Sequence, residues 1–118
     1  VMATLMDDLD QRGLLDSTLV VAFGEFGRTP GVNASLGRDH FANAWSAAMF
    51  GCGLQAGAVY GKTDDDGNTV TEDEVGAGEL FATILAAIGI NPNKEYHVGA
   101  RPIPLVNPGI EPIRSLLA

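Results

Sequence analysis

The chain has 118 residues, about one domain's worth, and its 46% hydrophobic content can fill a modest core. Fifteen acidic against seven basic residues give a net charge of -8, which opposes phosphate backbones and anionic membrane surfaces and so argues against nucleic-acid binding. The single cysteine, Cys52, excludes an internal disulfide, and no apolar run approaches the ~18 residues of a membrane span.

A helical pattern is already running at the first residue. Met2, Leu5, Met6 and Leu9 fall at i, i+3, i+4 and i+7, one face of an amphipathic helix. No signal peptide precedes it, and the expectation is a piece of a longer chain. Gly13 supplies the helix stop, and Asp16-Ser17 turns the chain into Leu19-Val20-Val21-Ala22-Phe23. That run is short, apolar and rich in β-branched residues, so it reads as a buried strand. Helix followed by strand suggests an α/β layer with a largely parallel sheet. Ser46 to Phe50 reads as a second strand, with a short helix as the competing reading. Gly57 and Gly61 flank Ala58-Val59-Tyr60, which suggests turns around a short edge strand. Asp66-Gly67 marks a β-hairpin between two β-like runs. Leu80, Phe81, Ile84, Leu85 and Ile88 recur at helical spacing, and Gly89 with Pro92 ends that helix. The proline-rich tail has room for a short extended piece at Ile103-Leu105-Val106 and a last short helix from Pro112.

Chemistry concentrates in Thr18 to His40. A strand breaks at Gly24 into a long loop that holds Glu25, Arg28, Arg38, Asp39 and His40. The ends of buried strands are where open α/β sheets build their sites. Arg38-Asp39-His40 offers a carboxylate and an imidazole, both good ligands for divalent metals. The same pair can equally hydrogen-bond the loop backbone. Glu25 lies between Gly24 and Gly27, which let the backbone turn sharply and let a ligand approach. It can bind metal, act as a base, or pair with Arg28 or Arg38. Arg28 can clamp an anionic ester or tie down the loop.

Other motifs carry less. Gly51-Cys52-Gly53-Leu54-Gln55-Ala56 fits a dinucleotide fingerprint in spelling, but it must open a helix, and Gly57 and Gly61 make that implausible. Asp64-Asp65-Asp66-Gly67-Asn68 fails the EF-hand spacing, because the first ligand position falls on Lys62, and it reads as a solvated hairpin tip. Ser46 and Cys52 have no base nearby in sequence. His97, beside Tyr96, reads as partly exposed and structural.

TLVVAFGEFGRTP, then GRDHFANAW, a Gly-x-Gly turn, AVYGKTD and LFATILAAIGI together resemble the C-terminal part of the DUF1501 family. That bacterial family is similar to the alkaline phosphatase and sulfatase superfamily. The resemblance runs from the first helix to RPIPLV. It implies a partial three-layer α/β/α sandwich of the alkaline phosphatase-like type with a small β-hairpin. Residues 1–118 would be a single domain resembling the C-terminal third of a longer hydrolase-like domain. In the superfamily a strand like Thr18–Phe23 ends in an Asp-His metal pair. Glu25 and Phe26 match those positions, so the carboxylate is kept and the imidazole is lost. His40 takes the place of a further histidine, with Asp39 before it.

The resemblance thus implies metal ligands at His40, Asp39 and Glu25, with zinc, manganese or calcium as the ion. It implies substrate contacts at Arg28 and Arg38, and no catalytic nucleophile within the chain. The expected function is part of a metal-dependent hydrolase-like protein acting on small phosphate or sulfate esters, inactive alone. The alternative is a non-catalytic binding or assembly domain of an exported bacterial protein. The resemblance suggests a periplasmic or exported location. A sheet cut from a larger one leaves apolar surface open, so self-association or packing against a preceding segment is expected.

Overall fold

The computed structural model describes residues 1–118. The chain is mixed α/β, with two α-helices, eight short strands and two 3-10 turns. In order these are α1 (Met2–Gln11), a 3-10 turn (Leu15–Ser17), β1 (Leu19–Ala22), β2 (Gly27–Arg28) and β3 (His40–Phe41). There follow β4 (Ala48–Gly51), β5 (Lys62–Thr63), β6 (Val70–Glu72), α2 (Ala77–Ala87), β7 (Glu95–Val98), β8 (Arg101–Pro104) and a last 3-10 turn (Arg114–Leu116). They pair into four two-stranded sheets, β1-β4, β2-β3, β5-β6 and β7-β8.

The largely parallel sheet expected from the helix-strand order does not form; the strands pair only two by two. β2-β3, β5-β6 and β7-β8 are all antiparallel. Connection length gives the reason for the last two. β5 and β6 are joined by Asp64–Thr69, and β7 and β8 by Gly99-Ala100 alone. A parallel crossover needs a dozen or more residues, so these links allow only hairpins.

The chain divides into two compact units. The first comprises Val1–Val20, Phe50–Val59 and Val75–Ala118. Its core sits on α2. Ala82, Thr83 and Ala87 are buried there, together with Ile113. Of the apolar residues at helical spacing, Leu80, Ile84 and Leu85 are half-buried, whereas Phe81 is 52% exposed and Ile88 is also exposed. The helix instead buries its small side chains, because backbone comes close to it. A Cβ on Gly53 would overlap the Ala87 carbonyl oxygen, and Gly53 has φ +69°. Thr83 is fully buried, and its hydroxyl donates to the Glu79 carbonyl at 2.6 Å and accepts from the Ile113 amide at 2.9 Å. One side chain thus fastens the C-terminal segment to α2.

Within the same unit, α1 forms as its apolar spacing predicts, stops at Gly13 (φ +67°), and buries none of its residues fully. The β7-β8 hairpin pairs Glu95 with Pro104 and Val98 with Arg101. Leu105 N–H donates to Lys94 O at 3.1 Å, so ladder amides fall on the odd positions of β8. Pro102 and Pro104 occupy the even ones, where no donor is needed. The tail ends in a 3-10 turn rather than an α-helix, with Leu54 bridged to Leu117.

The second unit comprises Val21–Met49 and Tyr60–Glu74. The Asp66-Gly67 hairpin is present as β5-β6, with Lys62 opposite Glu72 and their side chains 3.0 Å apart. Asp64 closes its tip by accepting the Asn68 amide at 2.7 Å. Gly67 has φ +71°, which the turn requires of it. The strand reading of Ser46–Phe50 holds in kind, shifted to Ala48–Gly51. The edge strand expected at Ala58-Val59-Tyr60 is absent. Positive φ at Gly57 and Gly61 turns the chain on both sides before a ladder can form.

Candidate functional site

All five chemically useful residues of the Thr18–His40 stretch lie in the second unit. The short β2-β3 ladder sets their relation. Gly27 pairs with Phe41 and Arg28 with His40, so guanidinium and imidazole start from opposite positions on neighbouring strands. The Phe26 ring stacks on the His40 imidazole, with centroids 3.8 Å apart and planes at 27°. The Arg28 guanidinium carbon stands 5.5 Å from the centre of the same Phe26 ring, within cation–π range. Phe26 therefore holds two of the candidate side chains, although it cannot itself bind a metal.

The loop from Thr29 to Asp39 is tied by its own polar groups. The Thr29 amide donates to Asp39 O at 3.0 Å, and the Asp39 amide donates to the Thr29 hydroxyl at 3.1 Å. Asn33 Oδ1 accepts the amides of Ser35 (2.9 Å) and Gly37 (3.0 Å), and Asn33 Nδ2 donates to Asp39 Oδ1 at 2.8 Å. Arg38 donates to Thr29 O at 2.7 Å and also to Pro30 O. Arg38 thus closes the loop, and its charge is spent on carbonyl oxygens. Arg28 makes one long bond, 3.3 Å to Arg38 O, and no ion pair. Elsewhere in this acidic chain Arg12, Lys62 and Arg114 each reach a carboxylate. Arg28 keeps most of its donors free.

A cleft of about 410 Å³ opens beside Arg28. Its walls include Phe26, Arg28, Trp45, Ser46 and Thr63. Gly27 is what brings the strand to this wall. A Cβ there would overlap the Ala44 carbonyl oxygen and lie 2.9 Å from the Trp45 Cβ. Trp45 lines the cleft and is 49% exposed overall, and Ser46 makes no side-chain hydrogen bond. Sequence reading overlooked Trp45 and Thr63. The signal for Trp45 was present, as the only tryptophan of the chain sits five residues after His40.

The expected metal set is not gathered into a chelate. No three histidine, cysteine or carboxylate side chains come together anywhere in the chain. The Asp39 carboxylate is engaged by Asn33. Glu25 is exposed and forms no ion pair with Arg28 or Arg38. His40 is exposed, with one ring face on Phe26. Of the three, His40 alone is both exposed and placed on the β2-β3 ladder beside Arg28. Away from this site, Cys52 is half-buried with Sγ 3.9 Å from Ala87 O, and His97 lies exposed on β7. No helix is long and apolar enough to cross a membrane.

The family model described as "Protein of unknown function (DUF1501)" matches residues 1–117. The chain belongs to the DUF1501 family. The match takes in Glu25 to His40 and the whole cleft, so the Phe26-His40 stack and the free Arg28 are features of a DUF1501 chain. Comparison with curated proteins and with solved structures gave no match.

Proposed function

We propose that this DUF1501 chain forms the anion-holding wall of a metal-dependent hydrolase-like site for small phosphate or sulfate esters. The observation that carries this reading is Arg28: a guanidinium without a carboxylate partner, at a cleft, in a chain of net charge -8. A free planar fork of donors suits a tetrahedral oxyanion. Arg28 binds and orients the ester oxygens. Arg38 supports it by closing the loop on which Asp39 and His40 follow. His40 would give one imidazole nitrogen to a zinc, manganese or calcium ion, and Glu25 has a free carboxylate to add. Asp39 is a second neighbour, committed to Asn33. These three do not make a complete metal site as they stand. A bound metal would supply polarisation of the ester oxygen. No step is assigned to Ser46 or Cys52, and the nucleophile is not among the residues of this cleft.

The fold that goes with this reading is the three-layer α/β/α sandwich of the alkaline phosphatase-like type, and the setting an exported protein. Both rest on the family resemblance. The test offers phosphate and sulfate esters with zinc or manganese to the protein and to its Arg28→Ala and His40→Ala variants. The expected result is ester binding lost with Arg28 and metal dependence lost with His40. Unchanged ester and metal binding in both variants would overturn the reading.

One set of observations favours the second reading, an assembly or binding domain. Phe81, Tyr96, Val98 and Ile103 are large, apolar and exposed. Such side chains suit packing against another copy or another segment. A strictly monomeric protein by light scattering at high concentration would count against it.

A further inference from the structure

The cleft beside Arg28 is larger than a bare oxyanion needs. At about 410 Å³ it falls in the range of pockets that hold whole small molecules, roughly 300–1,000 Å³. Its second chemical feature is aromatic. Trp45 lines the cleft and is 49% exposed overall, where a core tryptophan would be covered, and Phe26 lines the same space. Gly27 fixes the distance between these two features, since any Cβ there would push β2 off Ala44 and Trp45. Small residues, Gly24, Ala44 and Gly67, leave the space between them open. Ser46 and Thr63 add hydroxyls that can donate to an oxygen. The cleft therefore brings a cation and two aromatic residues together, with no carboxylate among its lining residues.

We infer that this cleft recognises an anion carried on a planar ring, with Arg28 holding the oxyanion and the Trp45 indole covering the ring. The inference deepens the preceding reading and rests on Arg28 being the oxyanion holder. The ring specificity belongs to Trp45 alone. Indole is a large, rigid surface that gains contact at small entropic cost, and ring-on-ring packing adds to the area buried.

The chain's only tryptophan is the one in the cleft, so its fluorescence reports on this site and no other. Phenyl phosphate and methyl phosphate are titrated into the 118-residue chain without metal, with calorimetry in parallel. Phenyl phosphate is expected to bind about ten-fold more tightly, the factor that one ring–indole contact supplies. Trp45→Leu should erase that preference, while Arg28→Ala should weaken the binding of both ligands. Equal affinities in the unaltered chain, with both still dependent on Arg28, overturn the ring inference and leave the oxyanion reading standing. A preference that survives Trp45→Leu also overturns it. Failure of both ligands to bind, or binding indifferent to Arg28→Ala, overturns both readings. The first comparison needs no variant, so misfolding of a substituted chain cannot rescue the inference.

Discussion

The Phe26 ring and the His40 imidazole lie face to face, 3.8 Å between centroids and 27° from parallel. The contact joins the residue just before β2 to the first residue of β3, across the whole Thr29–Asp39 loop. A stack on one face leaves the other face of the imidazole, and the in-plane directions from its two nitrogens, outside this contact. Phe26 thus fixes where the His40 ring stands on the β2-β3 ladder.

That relationship has a direct spectroscopic consequence. The His40 ring protons should be shifted upfield by the Phe26 ring current in a proton–carbon correlation spectrum. His97, exposed on β7, provides the internal reference. In Phe26→Leu the His40 signals should move toward those of His97. Stability should fall by about 0.5–1.5 kcal/mol, the worth of an aromatic pair, and nearer the lower figure because His40 is exposed. His40 resonances unaffected by Phe26→Leu would show that the stack does not persist in solution.

Thr83 offers a sharper energetic test. It is fully buried, and its hydroxyl is the partner of the Ile113 amide. Thr83→Val keeps the shape and removes the acceptor, leaving a buried N–H unpaired at a cost of about 1–3 kcal/mol. Thr83→Ser keeps the acceptor and should lose less. Urea denaturation of the two variants decides the matter. If valine is tolerated as well as serine, the hydroxyl does not fasten the C-terminal segment.

Local pattern was readable where a single physical cause decides the outcome. Gly13 and Gly89 end the two helices, and Asp66-Gly67 makes its hairpin, because positive φ there is nearly the property of glycine. Sheet pairing was not readable, since it depends on which strands meet and not on what each contains. The β7-β8 hairpin was hidden by Pro102 and Pro104, which argue against a strand unless the register is known. The helix at α2 was readable from its spacing, but its most covered face was not, for a related reason. Leu80, Phe81 and Ile88 mark an apolar face, but only the close approach of Gly53 to Ala87 tells which face is covered. At the site, residue types were legible and their engagements were not. Arg28 and Arg38 look alike in sequence, and only the Thr29 and Pro30 carbonyls show that Arg38 is the loop's own clasp.

Asn33 organises that loop, and its substitution should propagate to Asp39. Its side-chain oxygen takes two amides and its side-chain nitrogen holds the Asp39 carboxylate. Asn33→Ala removes all three bonds, and Asn33→Asp keeps the two acceptor bonds but sets a second carboxylate against Asp39. Amide exchange at Ser35 and Gly37 should accelerate strongly in the alanine variant and less in the aspartate one. If exchange at Gly37 is the same in both variants as in the parent, the loop is ordered by something other than Asn33.

Two glycines of similar conformation should respond very differently to alanine. Gly13 has φ +67° with open space where a Cβ would go, and Gly51 has φ +101° with the Thr18 carbonyl oxygen in that place. A positive-φ cost applies at both, about 1–2 kcal/mol for an L-residue in the left-handed region that Gly13 occupies and no less at the wider φ of Gly51. Gly51→Ala adds an overlap with Thr18 O and a 3.1 Å approach to Leu15 O, which the chain can relieve only by opening the Cys52 N–H to Thr18 O bond, itself 3.1 Å. The penalty at Gly51 should therefore exceed that at Gly13 by about 1–3 kcal/mol, an overpacking cost. Chemical denaturation of Gly13→Ala and Gly51→Ala, side by side, measures the difference. Equal losses would mean that the turn from β4 into Cys52 relaxes freely, and that the close approach of Gly51 to Thr18 is not what holds it.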